Sequence, residues 1–153
     1  VVYTKDDASG IDTFYKERYQ VSAQTDRMGC RLDGPQIESS RGSDIISDGI
    51  ALGSIQIPAQ GTPIVMLADR QTTGGYAKIA TVASVDIPLL VQRATKQYVQ
   101  FKPVSVIEAQ RLLVAERDYY RNVRANARGR LTLEMPCIEP NDHAGEPTMP
   151  PVE

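Results

Sequence analysis

The sequence predicts a mainly β protein, a closed barrel of short strands with one short and one longer helix towards its C-terminal end. Between residues 19 and 104, short apolar runs alternate with polar residues, and glycine and proline separate the runs. Strands and helices do not alternate regularly, which favours a barrel over repeated strand–helix–strand units. A chain of 153 residues with 41% hydrophobic residues is long enough to bury a core.

Six strands are predicted, and the proline- and glycine-containing loop 58–63 joins two of them as a hairpin with a long connection. The core must be mostly aliphatic, because aromatic residues make up only 6% of the chain and tryptophan is absent. The predicted strands cover residues 19–23, 30–32, 54–57, 64–68, 78–83 and 98–101.

Two helices follow or interrupt these strands. The short helix is expected after Asp86, whose carboxylate can cap it, with Pro88 in the first turn. The longer helix is expected to begin at Ser105, because Ser105 and Glu108 have capping-box spacing, and to stop at Gly129. We interpret this helix as a strut on the barrel; its arginines would alternatively face an acidic partner.

The composition changes after Gly129. Residues 130–153 contain five acidic residues, five prolines and one arginine, too few apolar groups for a packed core. We therefore predict one folded body over residues 1–129 and a proline-rich acidic tail or linker over residues 130–153. Because the chain does not begin with Met, we expect it to be a piece of something longer.

Charge and composition exclude several functions. A net charge of −2 argues against a nucleic-acid binder, and no apolar run approaches the roughly 18 residues of a membrane span. Two distant cysteines do not define a disulfide scaffold, so we expect a reducing compartment, the cytoplasm. The only histidine, His143, lies in the tail, which leaves neither a metal site nor a histidine-dependent nucleophile in the body.

The first candidate site is the segment 25–32, where a carboxylate stands beside two guanidinium groups. Arg27 and Arg31 can hold a carboxylate or a ureido oxygen, and Asp26 can orient them. The alternative is that Asp26 caps a turn and pairs with one arginine. On the residues alone, the structural alternative is favoured.

The second candidate site is the segment 68–76, directly after an apolar strand. Polar groups are dense there, and two consecutive glycines allow successive N–H groups to face one anion. The alternative is a loop that needs glycine for its turn, and we interpret Ser47, Asp48 and Gly49 as a turn also. The candidate residues of this segment are Asp69, Arg70, Gln71, Thr72, Thr73, Gly74, Gly75 and Tyr76, with Lys78 following.

Three blocks together carry a resemblance to a known family: YQVSAQTDRMGCRLDGP at 19–35, IISDGIALGSIQIP at 45–58 and IVMLADRQTTGGYAKIATV at 64–82. They resemble the second half of the biotin-dependent carboxyltransferase domain of the A/B type. That family includes allophanate hydrolase subunit 2, the C subunit of 5-oxoprolinase, KipA-like proteins and the matching region of urea carboxylase. The similarity covers about residues 11–118. Lys96 stands where the family usually has glycine.

The resemblance implies that residues 1–129 form a cyclophilin-like β-barrel, a carboxyltransferase subdomain whose other half lies N-terminal to residue 1. It implies a subunit or fragment of a multisubunit or multidomain ATP-dependent enzyme that processes an amide or urea, inactive alone and forming half of a pocket for carboxylate and ureido groups. Biotin on a carrier domain would be the cofactor, and ATP would be used by a partner subunit. The expected partners are the N-terminal half, a biotin carrier domain, and a protein like allophanate hydrolase subunit 1, KipI or the B subunit of 5-oxoprolinase.

The resemblance also suggests roles for the candidate residues. Arginines would hold oxygens, Asp26 or Asp69 would orient an arginine or accept a proton, and Tyr76 or Lys78 would donate one. Alternatively, the chain is a KipA-like regulatory module that binds a KipI-like partner without catalysis of its own. The catalytic candidates are Asp26, Arg27, Asp69, Arg70, Tyr76 and Lys78, and the substrate-binding candidates are Arg31, Gln71, Thr72, Thr73, Gly74 and Gly75.

Overall fold

A computed structural model describes residues 2–3, 8–38 and 44–127. The chain divides into two compact units, and the first, Val1–Arg117, contains every described strand. Of the second unit, Asp118–Glu153, the description reaches residue 127, just beyond the end of a helix. The predicted tail, residues 130–153, therefore lies outside the described residues.

The described residues form eight strands and three α-helices, and all strand pairs are antiparallel. A 3-10 turn, Ser84–Asp86, precedes the second helix. The strands are β1 (Val2–Tyr3), β2 (Tyr19–Val21), β3 (Gly29–Asp33), β4 (Asp44–Gly49), β5 (Ser54–Ile57), β6 (Ile64–Met66), β7 (Thr73–Thr81) and β8 (Tyr98–Val99). The helices are α1 (Ala8–Lys16), α2 (Ile87–Val91) and α3 (Val106–Asn126).

Seven strands form one sheet in the order β1-β7-β5-β6-β3-β2-β8, and β4 pairs with β7 beside this path. The prediction of a mainly β fold is confirmed, but the prediction of a closed barrel is wrong. Closure would require β1 and β8 to pair with each other, and in the described chain each has a neighbour on one side only. The described sheet therefore has two open edges, each formed by a strand only two residues long.

The core lies on the inner face of this sheet and is covered by α1. Phe14 of α1 is fully buried and stacks on Phe101, with ring centroids 4.6 Å apart, and Tyr19 packs beside both rings. Aliphatic residues within the central strands or directly after them complete the cluster. They include Leu32, Ile55, Ile57, Val65, Leu67 and Val82, as the aliphatic composition predicted.

The helices agree with the sequence in part. The Ser105 Oγ accepts a hydrogen bond from the Glu108 N–H at 3.1 Å, which confirms the predicted cap of α3. Pro88 lies in the first turn of α2 as expected, but Asp86 makes no side-chain cap bond. No residue of α3 is fully buried, and its role as a strut stays a prediction. None of the described helices combines the length and hydropathy needed to span a membrane.

Tyr19 carries a buried hydroxyl that should limit stability. The side chain is fully buried, its hydroxyl has no partner among the described residues, and burial, with a smaller effect of Glu17, raises the pKa of Tyr19 to about 12. Tyr19→Phe should raise the free energy of unfolding by about 1 kcal/mol in denaturant titrations, because an unpaired buried group is removed. Tyr98→Phe, at an exposed position, should change nothing.

The same substitution should change the response to alkaline pH. Since the tyrosine ionises near pH 10.0 in the unfolded chain and only near 12 in the folded one, the native protein loses stability as the pH rises across that interval. Tyr19→Phe should reduce this loss. An unchanged alkaline profile together with a lower stability at neutral pH would contradict the assignment.

Lys96 adopts a left-handed backbone conformation, with φ of 70°, which glycine adopts at much lower steric cost than other residues. Its N–H still donates to the Val21 carbonyl at 2.8 Å, so the turn before β8 is formed despite the strain. Lys96→Gly should stabilise the protein by up to about 1 kcal/mol, because glycine removes the steric cost of this conformation. Lys96→Ala keeps that steric cost and should not raise the stability. Equal midpoints of denaturant unfolding for the two variants would disprove the explanation.

Candidate functional site

The carboxylate of Asp26 accepts hydrogen bonds from the main chain of the turn in which it lies. Its Oδ1 accepts hydrogen bonds from the N–H groups of Met28 at 2.8 Å and Gly29 at 3.0 Å. These bonds start β3 at Gly29 by satisfying two main-chain donors. The arrangement matches the structural alternative stated for the first candidate site, in which Asp26 caps a turn.

Arg27 and Asp69 bring the two candidate segments together. Arg27 Nε lies 2.8 Å from Asp69 Oδ2, and Arg27 Nη2 donates to Asp69 Oδ1 at 3.3 Å, a bidentate pair. The Asp69 N–H also donates to the Arg27 carbonyl at 3.1 Å, so the two turns are adjacent. Because 84% of the Arg27 side chain is exposed, the pair contributes at most about 1 kcal/mol of stability.

Arg31 is not brought into this contact. It lies on β3 with an exposed side chain, and its main chain exchanges hydrogen bonds with the Thr25 hydroxyl at 3.1 and 3.2 Å. Within the described residues, the guanidinium of Arg31 has no carboxylate partner. It remains an exposed cation next to the Asp26 turn.

Arg70 is held by main-chain carbonyls and is half-buried. Its Nε donates to the Ile50 carbonyl at 3.0 Å and its Nη1 to the Leu67 carbonyl at 3.3 Å. These bonds tie the end of β4 to the turn that follows β6. No carboxylate in residues 8–38 or 44–127 neutralises this guanidinium, so its positive charge is available to a bound anion.

Lys78 approaches the same end of β4 from β7. Its Nζ donates to Asp48 Oδ2 at 2.9 Å and to the Gly49 carbonyl at 3.2 Å, while 17% of its side chain is exposed. The adjacent carbonyls of Gly49 and Ile50 therefore hold two cations. We call Arg70, Lys78 and the segment 48–50 that holds them the β4–β7 cluster.

The glycines of the second segment do not form the anion-binding turn that was predicted. Gly74 and Gly75 lie within β7, where Gly74 pairs in register with Asp48, and neither has a positive φ. A Cβ at position 74 would lie 2.7 Å from Ile50 Cδ1, so a larger residue there would require the end of the Ile50 side chain to move. The expectation of successive N–H groups facing one anion is therefore wrong.

The other polar candidates of this segment lie at its surface. The Thr72 carbonyl accepts the Ile50 N–H at 2.9 Å, and Thr73 pairs with Gly49, so the main chain of the segment supports β4. The side chains of Gln71, Thr72 and Thr73 are exposed, as is 43% of Tyr76. They line the outer part of the β4–β7 ladder rather than its buried part.

Sequence reasoning missed Asp48 of the cluster and Gln56 of the neighbouring strand β5. Asp48 was assigned to a turn, but it lies in β4 and forms the ion pair with Lys78. Gln56 received no role, although it is only 5% exposed in the fully buried strand β5, and its Nε2 has no hydrogen-bond partner in the described chain. A polar amide between Ile55 and Ile57 was the signal available in the sequence.

No group of three or more potential metal ligands occurs among residues 2–3, 8–38 and 44–127. Cys30, the described cysteine, is free and buried. Burial raises the pKa of its thiol by more than the hydrogen bond from Thr25 lowers it. A thiol in this state is a poor nucleophile.

The sequence of this chain is similar to that of a known protein family. The carboxyltransferase domain family, subdomain A and B, matches residues 5–103. The chain is 35% identical over 111 residues to the 5-oxoprolinase C subunit of Haemophilus influenzae, covering 72% of this chain and 36% of that protein. It is 33% identical over 121 residues to the 5-oxoprolinase C subunit of Escherichia coli, covering 79% and 39%.

A solved structure agrees on the fold. The crystal structure of the Kluyveromyces lactis urea carboxylase superposes with a TM-score of 0.74 at 22% identity, covering 88% of this chain and 13% of that one. The chain thus spans little more than a third of the length of the curated relatives it matches. The family resemblance seen in the three sequence blocks is confirmed.

The ion pair of the cluster generates a prediction about Asp48. The hydrogen bond from Lys78, then the Gly49 N–H, then the Lys78 charge hold the pKa of Asp48 below its usual 3.8. Lys78→Met should raise the pKa of Asp48, measured by carboxyl ¹³C NMR titration. Because the folded-state pKa is lowered, the pair stabilises the fold above pH 3.8 and this contribution is lost as the pH falls through the lowered pKa.

Lys16→Met is the matched control. Lys16 forms an exposed pair with Asp12 in α1 and should leave the Asp48 titration unchanged. An Asp48 pKa that stays low in Lys78→Met would show that Lys78 does not hold this carboxylate in solution.

Proposed function

This chain belongs to the carboxyltransferase domain family, subdomain A and B, and from that premise we propose that it is part of a larger ATP-dependent enzyme that processes a small amide or urea compound. It contributes half of a pocket that holds carboxylate and ureido oxygens and is inactive alone. The N-terminal half of the same domain supplies the other half, and a partner subunit uses the ATP. We place the assembly in the cytoplasm.

The observation that carries this proposal is the anchoring of Arg70 and Lys78 at one strand end. Both cations donate to main-chain carbonyls, of Ile50 and Gly49, which are neighbours in sequence. Anchored donors lose little further entropy when an anion binds, and half-burial strengthens their electrostatic attraction to it. Since Arg70 has no carboxylate partner in the described chain, a carboxylate of the substrate completes the arrangement.

The other candidate residues take supporting roles in this proposal. Arg27 and Asp69 form a rim pair that positions the two turns, and Asp26 shapes the first turn. Arg31 supplies an additional exposed cation. Tyr76 and Lys78 are the proton donors. Gln71, Thr72, Thr73, Gly74 and Gly75 line the approach to the cluster.

The cluster has a donor set that fits a biotin group. A carboxylated ureido ring presents several oxygens, and its carboxylate can only accept hydrogen bonds. It therefore requires donors such as Arg70 and Lys78. When bound, biotin supplies the carboxyl group that is transferred. The residues of this chain would hold its oxygens and exclude water from the half-buried side of the cluster. Lys78 or Tyr76 would give a proton to the released ureido nitrogen and regain one from the acceptor nitrogen, which loses its hydrogen as it takes the carboxyl group.

The relatives suggest the partners. A protein like the B subunit of 5-oxoprolinase, allophanate hydrolase subunit 1 or KipI would associate with the complete protein, and a biotin carrier domain would visit the pocket. Both curated relatives are named as one subunit of 5-oxoprolinase, so assembly with further subunits is part of the proposal. The acceptor is a small compound with an amide or urea nitrogen, such as 5-oxoproline or urea.

A regulatory role is the second candidate, and one observation favours it. Ile46 of β4 is 94% exposed and Ile45 is 41% exposed, beside the half-exposed Tyr76. Apolar side chains on an exposed strand suit contact with another protein. In this alternative, the chain is a KipA-like module that binds a KipI-like partner without catalysing a reaction.

Arg70→Ala tests the enzymatic proposal in the complete protein with its partner subunits. Turnover, measured as ATP-dependent consumption of 5-oxoproline or urea, should fall by about 100-fold or more, because an anchored donor to the substrate oxygens is lost. Arg70→Lys should retain part of the activity, since it keeps the charge but not the fork of donors. Circular dichroism should show that both variants remain folded.

Arg93→Ala is the control, because Arg93 is exposed and lies outside the cluster. Normal turnover in Arg70→Ala would remove Arg70 from the site. If the unmodified complex consumes neither compound and still binds its partner stably, that result favours the regulatory alternative.

A further inference from the structure

Gln56 is a polar residue in an otherwise closed part of the core. Its side chain is 5% exposed, and its Nε2 is buried without a hydrogen-bond partner in the described chain. A buried donor that lost its water without gaining an acceptor destabilises the folded state. Such a donor requires an explanation, and an acceptor supplied by a bound molecule is one.

The strand register places Gln56 beside Lys78. The two residues are paired across β5 and β7, so their side chains leave the sheet on the same face. The pairing shifts by one residue immediately before this point, between Ile55 and Gln56. A shift of this kind redirects the side chains that follow it.

The bare backbone at Gly74 also faces this amide. A Cβ at Gly74 would lie 3.3 Å from Gln56 Nε2 and 2.7 Å from Ile50 Cδ1. Gly74 pairs in register with Asp48, the partner of Lys78, and the Ile50 carbonyl holds Arg70. The Gln56 amide therefore belongs to the inner side of the β4–β7 cluster.

We propose that the Gln56 side-chain N–H donates a hydrogen bond to the carbonyl oxygen of the amide or urea substrate, and that this bond selects compounds that carry such an oxygen. The inference rests on the proposed function and adds the group that recognises the substrate. The two cations suit a carboxylate, whereas an uncharged, shielded amide suits an uncharged carbonyl. Sites with a buried donor reject analogues that lack the acceptor, because the donor is then left unpaired.

Gln56→Met provides the test, since methionine has nearly the same length and lacks the donor. In the complete protein with its partner subunits, binding of 5-oxoproline and of urea is measured by calorimetry, with proline as the analogue without the ring carbonyl. The unmodified protein should bind 5-oxoproline or urea and discriminate against proline. Gln56→Met should weaken that binding about tenfold and lose discrimination between 5-oxoproline and proline.

Stability separates this role from a structural one. Without ligand, the melting temperature of Gln56→Met should be unchanged or higher, because an unpaired buried group has been removed. Gln92→Met, at an exposed position, is the control and should change neither property. As a second measurement that needs no variant, the side-chain ¹⁵N–¹H resonances of Gln56 in the unmodified protein should shift when 5-oxoproline or urea is added.

The outcomes are distinct. If the unmodified protein binds 5-oxoproline or urea and Gln56→Met binds it equally well, the inference is overturned and the proposed function stands. A lower melting temperature with unchanged affinity assigns Gln56 to the core and also overturns it. If the unmodified protein binds neither compound, the proposed function fails, and this inference fails with it.

Discussion

The hydrogen bonds from Arg70 and Lys78 to the main chain at the end of β4 are the interactions on which the site depends. The Ile50 carbonyl accepts a hydrogen bond from Arg70 Nε, and the Gly49 carbonyl accepts one from Lys78 Nζ. Carbonyls in a fixed strand hold long, flexible side chains that would otherwise sample many rotamers. The same bonds connect the end of β4 to the rest of the sheet. They therefore position both the main chain at that end and the two positive charges.

The long strand β7 connects this site to the core. Its nine residues pair with β4 in the first part and with β5 and β1 in the second. Ala80, in the second part, is buried with the core, whereas Tyr76, in the first part, is half-exposed. One strand therefore transmits the rigidity of a packed core to a partly exposed ladder, which is what a binding site needs to hold its donors in place.

The chain matches only part of the length of its curated relatives. Its core is closed by the stacked rings of Phe14 and Phe101, yet its described sheet ends in two short strands that each pair on one side only. The region shared with the curated relatives is 36% and 39% of their length. The matched region nevertheless contains a packed core of its own, in which Phe14 and Phe101 lie together with the aliphatic residues of the sheet.

The sequence by itself determined the mainly β class, the cap of α3 at Ser105 and the family, because strand alternation, capping-box spacing and block order are local signals. It also identified the two segments that meet through Arg27 and Asp69. Only the tertiary structure decided that the sheet is open, that Gly74 and Gly75 extend a strand, and that Asp48 and Gln56 join the cluster. These depend on which strands pair and in which register. Pairing between β4, β5 and β7 brings together residues that are distant in sequence, such as Asp48 and Lys78, 30 positions apart. The spacing of residues along the chain carries no information about that choice.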